Sequence, residues 1–188
     1  MNASEAIASI NQHCAGAIES QHEFRNEHTI VVKLDQLHAV LAHCKEQLAF
    51  DYLIDICSLD HFGEEPRFEM VYEVYGLGHH THLRVRSAVS EDTGTVPTVT
   101  DLWPTANWHE RVVYDMMGIR FSDHPDLRRI LMWEGYPFYP LRKEFPLAGK
   151  ASEMPDVAFT GVAPLEGGPF VTEPSTAGTI SREPRSRA

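Results

Sequence analysis

The chain is poor in cysteine, in positive charge and in long apolar runs, and each shortage closes off a class of function. Its three cysteines, Cys14, Cys44 and Cys57, are far apart and odd in number, with no Cys-x-x-Cys pair. No zinc ribbon, iron–sulfur cluster or c-type haem can be read from that pattern, which suits three reduced thiols in a cytosolic protein. Lysine and arginine number 16 against 27 acidic residues, a formal net charge of -11. Phosphate backbones need a basic face, so nucleic acid is excluded as a direct partner. No stretch approaches the roughly 18 uninterrupted apolar residues of a membrane span. The N-terminus has Glu5 and no early Lys or Arg, unlike a secretory signal. Membrane association is therefore expected only through partners. GxxxxGK[ST] and GxGxxG are also missing, so no phosphate-cradling loop for ATP, FMN or NAD can be assigned.

What is present suits one domain with a tail. The 188 residues are 43% hydrophobic, enough for a single core. Ile7, Ile10, Cys14 and Ile18 recur at helical spacing between Ser4 and Ser20, with Ser4 a candidate N-cap. His28–Leu34 is a β-branched run and reads as a strand. Asp35 is placed to cap a second helix with the stripe Leu37, Val40, Leu41, Cys44 and Leu48. Tyr52–Leu59 and Arg67–Tyr75 alternate with period two, Gly76-Leu77-Gly78 makes a turn, and His82–Val89 returns as a strand. Glu91–Val99 reads as a loop. The expected fold is α+β in two layers: an N-terminal helix–strand–helix block, antiparallel strands, a helix near 105–117 and an extended C-terminal segment. The domain spans 1–147 and a Pro/Gly-rich extended tail spans 148–188. The last 38 residues hold five prolines and four glycines, too little apolar matter for a core of their own.

Several chemical patterns fail on inspection. His109-Glu110 opens an H-E-x-x-H zinc motif, but the fourth position on is Val113, so the second ligand is missing. His79, His80 and His82 cluster at a hairpin, and His80 and His82 could share a face. No Asp, Glu or Cys follows at ligand spacing, so a solvated turn is the better reading. Glu64-Glu65 and Glu91-Asp92 read as solvated charge runs. A free-standing hydrolase or metal protein built on the histidines is the alternative of a different class; replacing them would test it.

The informative stretch is Trp103–Leu147. Residues 101–150 hold seven acidic and seven basic side chains, so the remaining residues carry the whole net charge. A charge-balanced, aromatic, arginine-rich segment in an acidic chain has the composition of a protein–protein contact surface. Pro104 and Thr105 open a helix to about Met117 that places Trp108, Val112, Met116 and Ile119 on one face. Glu110, Arg111 and Asp115 fall on its other faces, and Gly118 sits where a left-handed C-cap belongs. Trp108 and Val112 read as core packing, and Arg111–Asp115 as an i,i+4 pair of about 0.3 kcal/mol.

Three blocks here carry a resemblance. Asn107-Trp108-His109-Glu110-Arg111-Val112-Val113-Tyr114-Asp115-Met116-Met117-Gly118-Ile119 resembles the signature helix of the C-type, 30 kDa hydrophilic subunit of the proton-pumping NADH:quinone oxidoreductase, respiratory complex I. His124-Pro125-Asp126-Leu127-Arg128-Arg129-Ile130-Leu131 and Pro140-Leu141-Arg142-Lys143-Glu144-Phe145-Pro146-Leu147 are similar to that family's next two motifs, in order. The departures are Val112 for a second glutamate, Trp108-His109 for Trp-Tyr, Met116-Met117 for Leu-Phe, and Phe138-Tyr139 for Gly-His. The resemblance implies a hydrophilic peripheral-arm subunit with no active site, binding no cofactor itself within a complex that uses FMN, iron–sulfur clusters and quinone. It implies the D-type subunit, which contributes to the quinone pocket, as chief neighbour. The B-type and I-type subunits are adjacent, on the cytoplasmic side of a bacterial inner membrane. The expected contact residues are Trp103, Asn107, Glu110, Arg111, Tyr114, Asp115, His124, Asp126, Arg128, Arg129, Trp133, Arg142 and Lys143. The alternative is the equivalent subunit of a related membrane-bound hydrogenase or ferredoxin-linked complex.

Overall fold

Residues 1–147 are described in a computed structural model; the tail expected for 148–188 lies outside the described residues. Helix α1 (Ala3–His13) starts ahead of Ser4, the expected cap. Asn2 is the N-cap: its side chain accepts from the Glu5 amide at 2.8 Å, and the Glu5 carboxylate accepts from the Asn2 amide at 3.0 Å. That capping box satisfies two amides which the first helical turn leaves open. The helix ends at Cys14, and Gly16 takes a positive φ of 77°. Ile18, at helical spacing from Cys14, therefore belongs instead to strand β1 (Ile18–Phe24). The Arg25-Asn26 turn, with φ of 53° and 64°, returns the chain as β2 (Glu27–Val32). The block is thus helix–hairpin–helix rather than helix–strand–helix. Exposed polar residues at most positions of β1 left it without an apolar pattern to read.

A 3-10 turn at Leu34–Gln36 leads into α2 (Leu37–Glu46), and no side chain caps that helix, Asp35 included. The turn enters the helix smoothly, so the cap position the sequence offers at Asp35 is already inside a helical turn. Strands β3 (Tyr52–Asp60), β4 (Phe68–Gly76) and β5 (Thr81–Val89) form the expected antiparallel meander. A bulge between Leu53 and Asp55 shifts the alternation of β3, burying Leu53 and Ile56 and leaving Ile54 outside. The 91–99 loop contains a short strand, β6 (Thr95–Pro97), which pairs in parallel with β7 (Arg120–Ser122). Between these strands lies α3 (Ala106–Met117), ended as expected by Gly118 at φ 78°.

The main sheet has the order β1-β2-β5-β4-β3. Only β2 and β5 run parallel, pairing Thr29 with Arg84, Ile30 with Val85 and Val31 with Arg86. One face is the core: Phe68, Met70, Tyr72 and Val74 of β4 join Leu83 and Val85 of β5, Ile10 of α1, Leu41 of α2 and Val113 of α3. Each large aliphatic side chain buried there contributes about 1.5–3 kcal/mol. The other face is a ladder of ion pairs, in which Glu73 meets Arg84 and His82, and Glu69 meets Arg86 and His61. Period-two burial on one side and charge on the other give the two-layer α+β fold.

Candidate partner interface

The helix α3 presents a different face to the core than the stripe of its large apolar residues suggests. Ala106, Glu110, Val113 and Met117 turn inward, with Arg111, Asp115 and Met116 also buried. Trp108 is 61% exposed, so its reading as core packing is overturned, and Val112 is only half-buried. Glu110, Arg111 and Asp115, placed on the outer faces by periodicity, are interior. Hydropathy misassigns them because their carboxylate and guanidinium groups are satisfied by backbone rather than water.

Asp115 shows the logic most fully. Its Oδ2 accepts from the amides of Ile130, Leu131 and Met132 at 3.0, 2.7 and 2.8 Å. Its Oδ1 accepts from Arg129 Nη1 at 2.6 Å. Burial alone would raise this carboxyl, but those amides and the guanidinium outweigh it and hold it below the ordinary aspartate range. Arg129 also donates to the carbonyls of Asp115, Tyr136 and Phe138. Arg111 does not pair with Asp115: its Nε and Nη2 donate to the Arg128 and Arg129 carbonyls at 3.1 and 3.3 Å, and its guanidinium lies over the Trp108 ring. Two charged side chains of α3 thus fold the 128–132 strip onto the helix.

Glu110 anchors the preceding segment. Its carboxylate accepts from the Thr98 hydroxyl at 2.6 Å and the Val99 amide at 2.8 Å. Burial pushes this carboxyl up to about 7, against the lowering by those two bonds. His124 lies 3.9 Å away, its ring also fully buried. His124 Nδ1 accepts from the Asp126 amide at 3.0 Å and Nε2 donates to the Asn107 carbonyl at 3.3 Å, the pattern of a neutral ring. Burial lowers its pKa, consistent with that tautomer.

A second cluster closes the C-terminal end. Arg67, buried at the start of the β4 side of the hairpin, meets Asp60 through two bonds of 2.9 and 3.0 Å, Glu91 at 2.7 Å, and Glu144. Glu91 is exposed, as a solvated charge run implies, and in addition pairs with Arg67. Arg67 holds the Asp60 carboxyl below its usual range, and the Lys143 amide, 2.8 Å from Asp60 Oδ2, adds to this. Arg142 donates to the Met117 carbonyl at 2.7 Å and stacks over Tyr139 and Phe68. A Cβ at Gly118 would fall 2.7 Å from the Tyr139 ring and 2.8 Å from Arg142, so the close approach requires glycine.

The thirteen expected residues thus divide. Trp103 is buried, with Nε1 donating to the Phe50 carbonyl at 3.3 Å. Glu110, Arg111, Asp115, Arg129 and Arg142 hold the segment to the domain, while Asn107, Tyr114 and Trp133 are half-buried along it, and His124 keeps its ring covered with only its backbone exposed. Asp126, Arg128 and Lys143 are exposed, Arg128 at 68% of its side chain with its Nε 2.9 Å from Asp126. Sequence reasoning missed Asp60, Arg67, Thr98, Leu131 and Leu141; the last two are exposed apolar residues inside the quoted motifs. The histidines 79, 80 and 82 go to separate partners, the Leu48 carbonyl, the Tyr75 hydroxyl and Glu73. Among the described residues no helix is long and apolar enough to cross a membrane.

Comparison with known proteins bears on these geometries. Residues 30–151 match the family described as respiratory-chain NADH dehydrogenase, 30 Kd subunit. The C-type subunit of the NADH-quinone oxidoreductase of Geotalea uraniireducens is 40% identical over 148 residues, covering 79% of this chain and 90% of that protein. The second C-type subunit of Rhizobium meliloti is 43% identical over 153 residues, covering 80% and 84%. A trypsin-resistant fragment of Nqo5 superposes with a TM-score of 0.59 at 31% identity, covering 66% of this chain and 98% of that one. A chain of the membrane-bound sulfane sulfur reductase, an archaeal respiratory membrane complex, gives a TM-score of 0.66 at 25% identity, covering 77% and 85%. A family match over most of the described chain, with relatives near 40% identity across most of their own length, carries the conclusion: this chain belongs to the 30 kDa, C-type family of subunits of the respiratory NADH-quinone oxidoreductases.

Proposed function

We propose that the chain is a structural component of the peripheral arm of a proton-translocating NADH:quinone oxidoreductase, on the cytoplasmic side of a bacterial inner membrane. Electrons pass from NADH through FMN and iron–sulfur centres held by other subunits to quinone; this chain binds none of those cofactors and has no active site of its own. Its contribution is geometric, helping to keep redox subunits at electron-transfer distance. The D-type subunit is the chief partner, with the B-type and I-type subunits adjacent. The observation that carries this reading is the division of segment 103–147. Its buried charges are committed to the chain's own backbone, while Trp108, Arg128, Leu131 and Leu141 face outward on a rigid frame. Exposed aromatic, arginine and leucine side chains on such a frame suit a partner's pockets, since little conformational freedom is lost on docking.

Affinity purification of the tagged chain from its native membrane in mild detergent tests this. Recovery of the flavin, iron–sulfur and proton-pumping subunits is expected, and Trp108→Ala/Arg128→Ala should reduce it while costing the isolated chain only the roughly 0.5–1 kcal/mol of the Arg111–Trp108 contact. A partnerless monomer, or a chain that binds FMN stoichiometrically, would overturn the proposal. The likeness to the sulfane sulfur reductase chain favours a second reading, the equivalent subunit of a related membrane-bound hydrogenase or ferredoxin-linked complex. A co-purifying large subunit carrying nickel on two Cys-x-x-Cys pairs would support it. The higher identity to the NADH-quinone oxidoreductase proteins favours the first reading.

A further inference from the structure

We infer that the free edge of β1 docks an extended, basic segment of a partner subunit, which joins the sheet as a sixth strand over the cleft between β1 and α1. The inference rests on the proposal that the chain works inside a multisubunit assembly. β1 is the terminal strand of the sheet. From Ser20 to Phe24 it pairs in unbroken register with β2, and a bulge between Ile18 and Ser20 ends the regular stretch. Its other backbone edge has no strand partner among the described residues, and every second residue from Ser20 to Phe24 turns its amide and carbonyl to that side, open to pairing. The tight Arg25-Asn26 turn fixes the hairpin in the geometry that a sixth strand would meet.

The space beside that edge is shaped for side chains. Opposed residues in an antiparallel pair share a face, so Gln21, opposite the core residue Ile30, and Glu23, opposite His28, both look toward the helices. Helix α1 packs against β2 and β5, so a cleft of about 490 Å³ opens between the helix and β1. Ile7, Ala8 and Asn11 line its helix side, and Gln21, Glu23 and His28 its sheet side. Alternate side chains of an added strand would enter it, an apolar one over Ile7 and Ala8 and a polar one toward Glu23.

The charge pattern selects the occupant. Glu19 and Glu23 are exposed and form no ion pair among the described residues, whereas Glu27, Glu69 and Glu73 of the same sheet all do. β1 itself carries no Lys or Arg. The nearest cation in sequence, Arg25, lies over the Phe24 ring at 5.1 Å at the hairpin tip. A second copy pairing antiparallel about Gln21 would set Glu19 against Glu23, and no Lys or Arg of β1 offsets them in any register, so the edge is charged against self-pairing. A strand with Lys or Arg at alternate positions meets no such penalty. The match to the family model begins at residue 30, so β1 lies before the matched residues.

Hydrogen exchange of β1 tests this, comparing the isolated full-length chain with the chain in the detergent-extracted complex. Peptides covering residues 19–24 should exchange about a hundredfold more slowly in the complex. Glu19→Lys/Glu23→Lys should cut recovery of one partner subunit about tenfold, with Glu19→Gln/Glu23→Gln intermediate. Neither pair should alter the isolated chain's melting, since both side chains are exposed and unpaired. Equal exchange in free and assembled chain, or full recovery with the lysine pair, overturns the inference while leaving the proposed function standing. Protection already present in the free chain overturns it too. Dependence on concentration would assign the edge to a second copy, and independence to residues 148–188. A wild-type chain that recovers no partner defeats both proposals together.

Discussion

The chain between Ile18 and Val89 and the chain between Gly118 and Leu147 solve the same problem in opposite ways. In the first, backbone amides and carbonyls satisfy one another in a sheet, and side chains are free to pack or to face water. In the second, only Arg120–Ser122 is regular, and backbone groups are satisfied by charged side chains projected from α3, from the β3–β4 end and from Arg129 within the segment itself. An irregular segment can thus be fixed in place without a strand partner. The condition is that buried carboxylates and guanidiniums take the place of the missing ladder.

The largest effect is expected from Asp115→Ala. It would strand three backbone amides and the Arg129 guanidinium in a buried site, a loss of about 3–5 kcal/mol. Urea unfolding should show it, and proteolysis should cut within 128–147 before it cuts the sheet. A loss under about 1 kcal/mol would mean that water reaches these groups and the segment is held otherwise.

Glu110 and Asp115 should then give opposite pH responses. Glu110 has its folded pKa raised from 4.5 to about 7. The unfolded chain therefore ionises first, and the stability linked to Glu110 is complete below 4.5 and falls as pH rises toward 7. The difference corresponds to about 3 kcal/mol. Glu110→Gln, which keeps an acceptor for the Val99 amide, should flatten stability between pH 4.5 and 7.5. Asp60 and Asp115, held below the ordinary 3.8, contribute stability that is present above 3.8 and is lost as pH falls through their folded values. Chemical denaturation in a pH series reads both limbs; an unchanged upper limb in the glutamine variant would remove Glu110 from the account.

A smaller effect is expected from Gly118→Ala, which combines a left-handed backbone with a contact on Tyr139 and Arg142, roughly 2 kcal/mol. It should loosen 139–145 without disturbing β4, as seen by hydrogen exchange. The smallest of the four lies outside both regions, at the start of α1: Asn2→Ala removes a capping box on an exposed helix end, about 1 kcal/mol, and should shift only the thermal midpoint.

The two regions also differ in how much of them the sequence discloses. Alternation in β4 and β5 and the stripe of α2 are direct consequences of burying one face, so the meander and the second helix can be read residue by residue. β1 escapes because an edge strand exposed on most positions leaves no periodic trace. The orientation of α3 is misread for a related reason. Hydropathy ranks Trp108 above Glu110, yet the burial of Glu110 is decided by the Thr98 hydroxyl and the Val99 amide, which no local pattern reveals. The motifs locate the segment correctly, and only the fold separates residues that hold it from residues that display it.

The one parallel pairing in the sheet sets an order of events during synthesis. β2 finds its neighbour β5 only after α2, β3 and β4 have been made, some 55 residues later by the register of Ile30 with Val85. Contacts this distant in sequence close late and slow the search for the native topology. The β3–β5 meander can assemble from neighbours alone as it leaves the ribosome, while α1 and the β1–β2 hairpin wait. The nascent chain should therefore acquire protease resistance in two steps. The first should come once Val89 has cleared the exit tunnel and completed the meander, and the second should follow as the N-terminal unit seals onto a sheet that already exists.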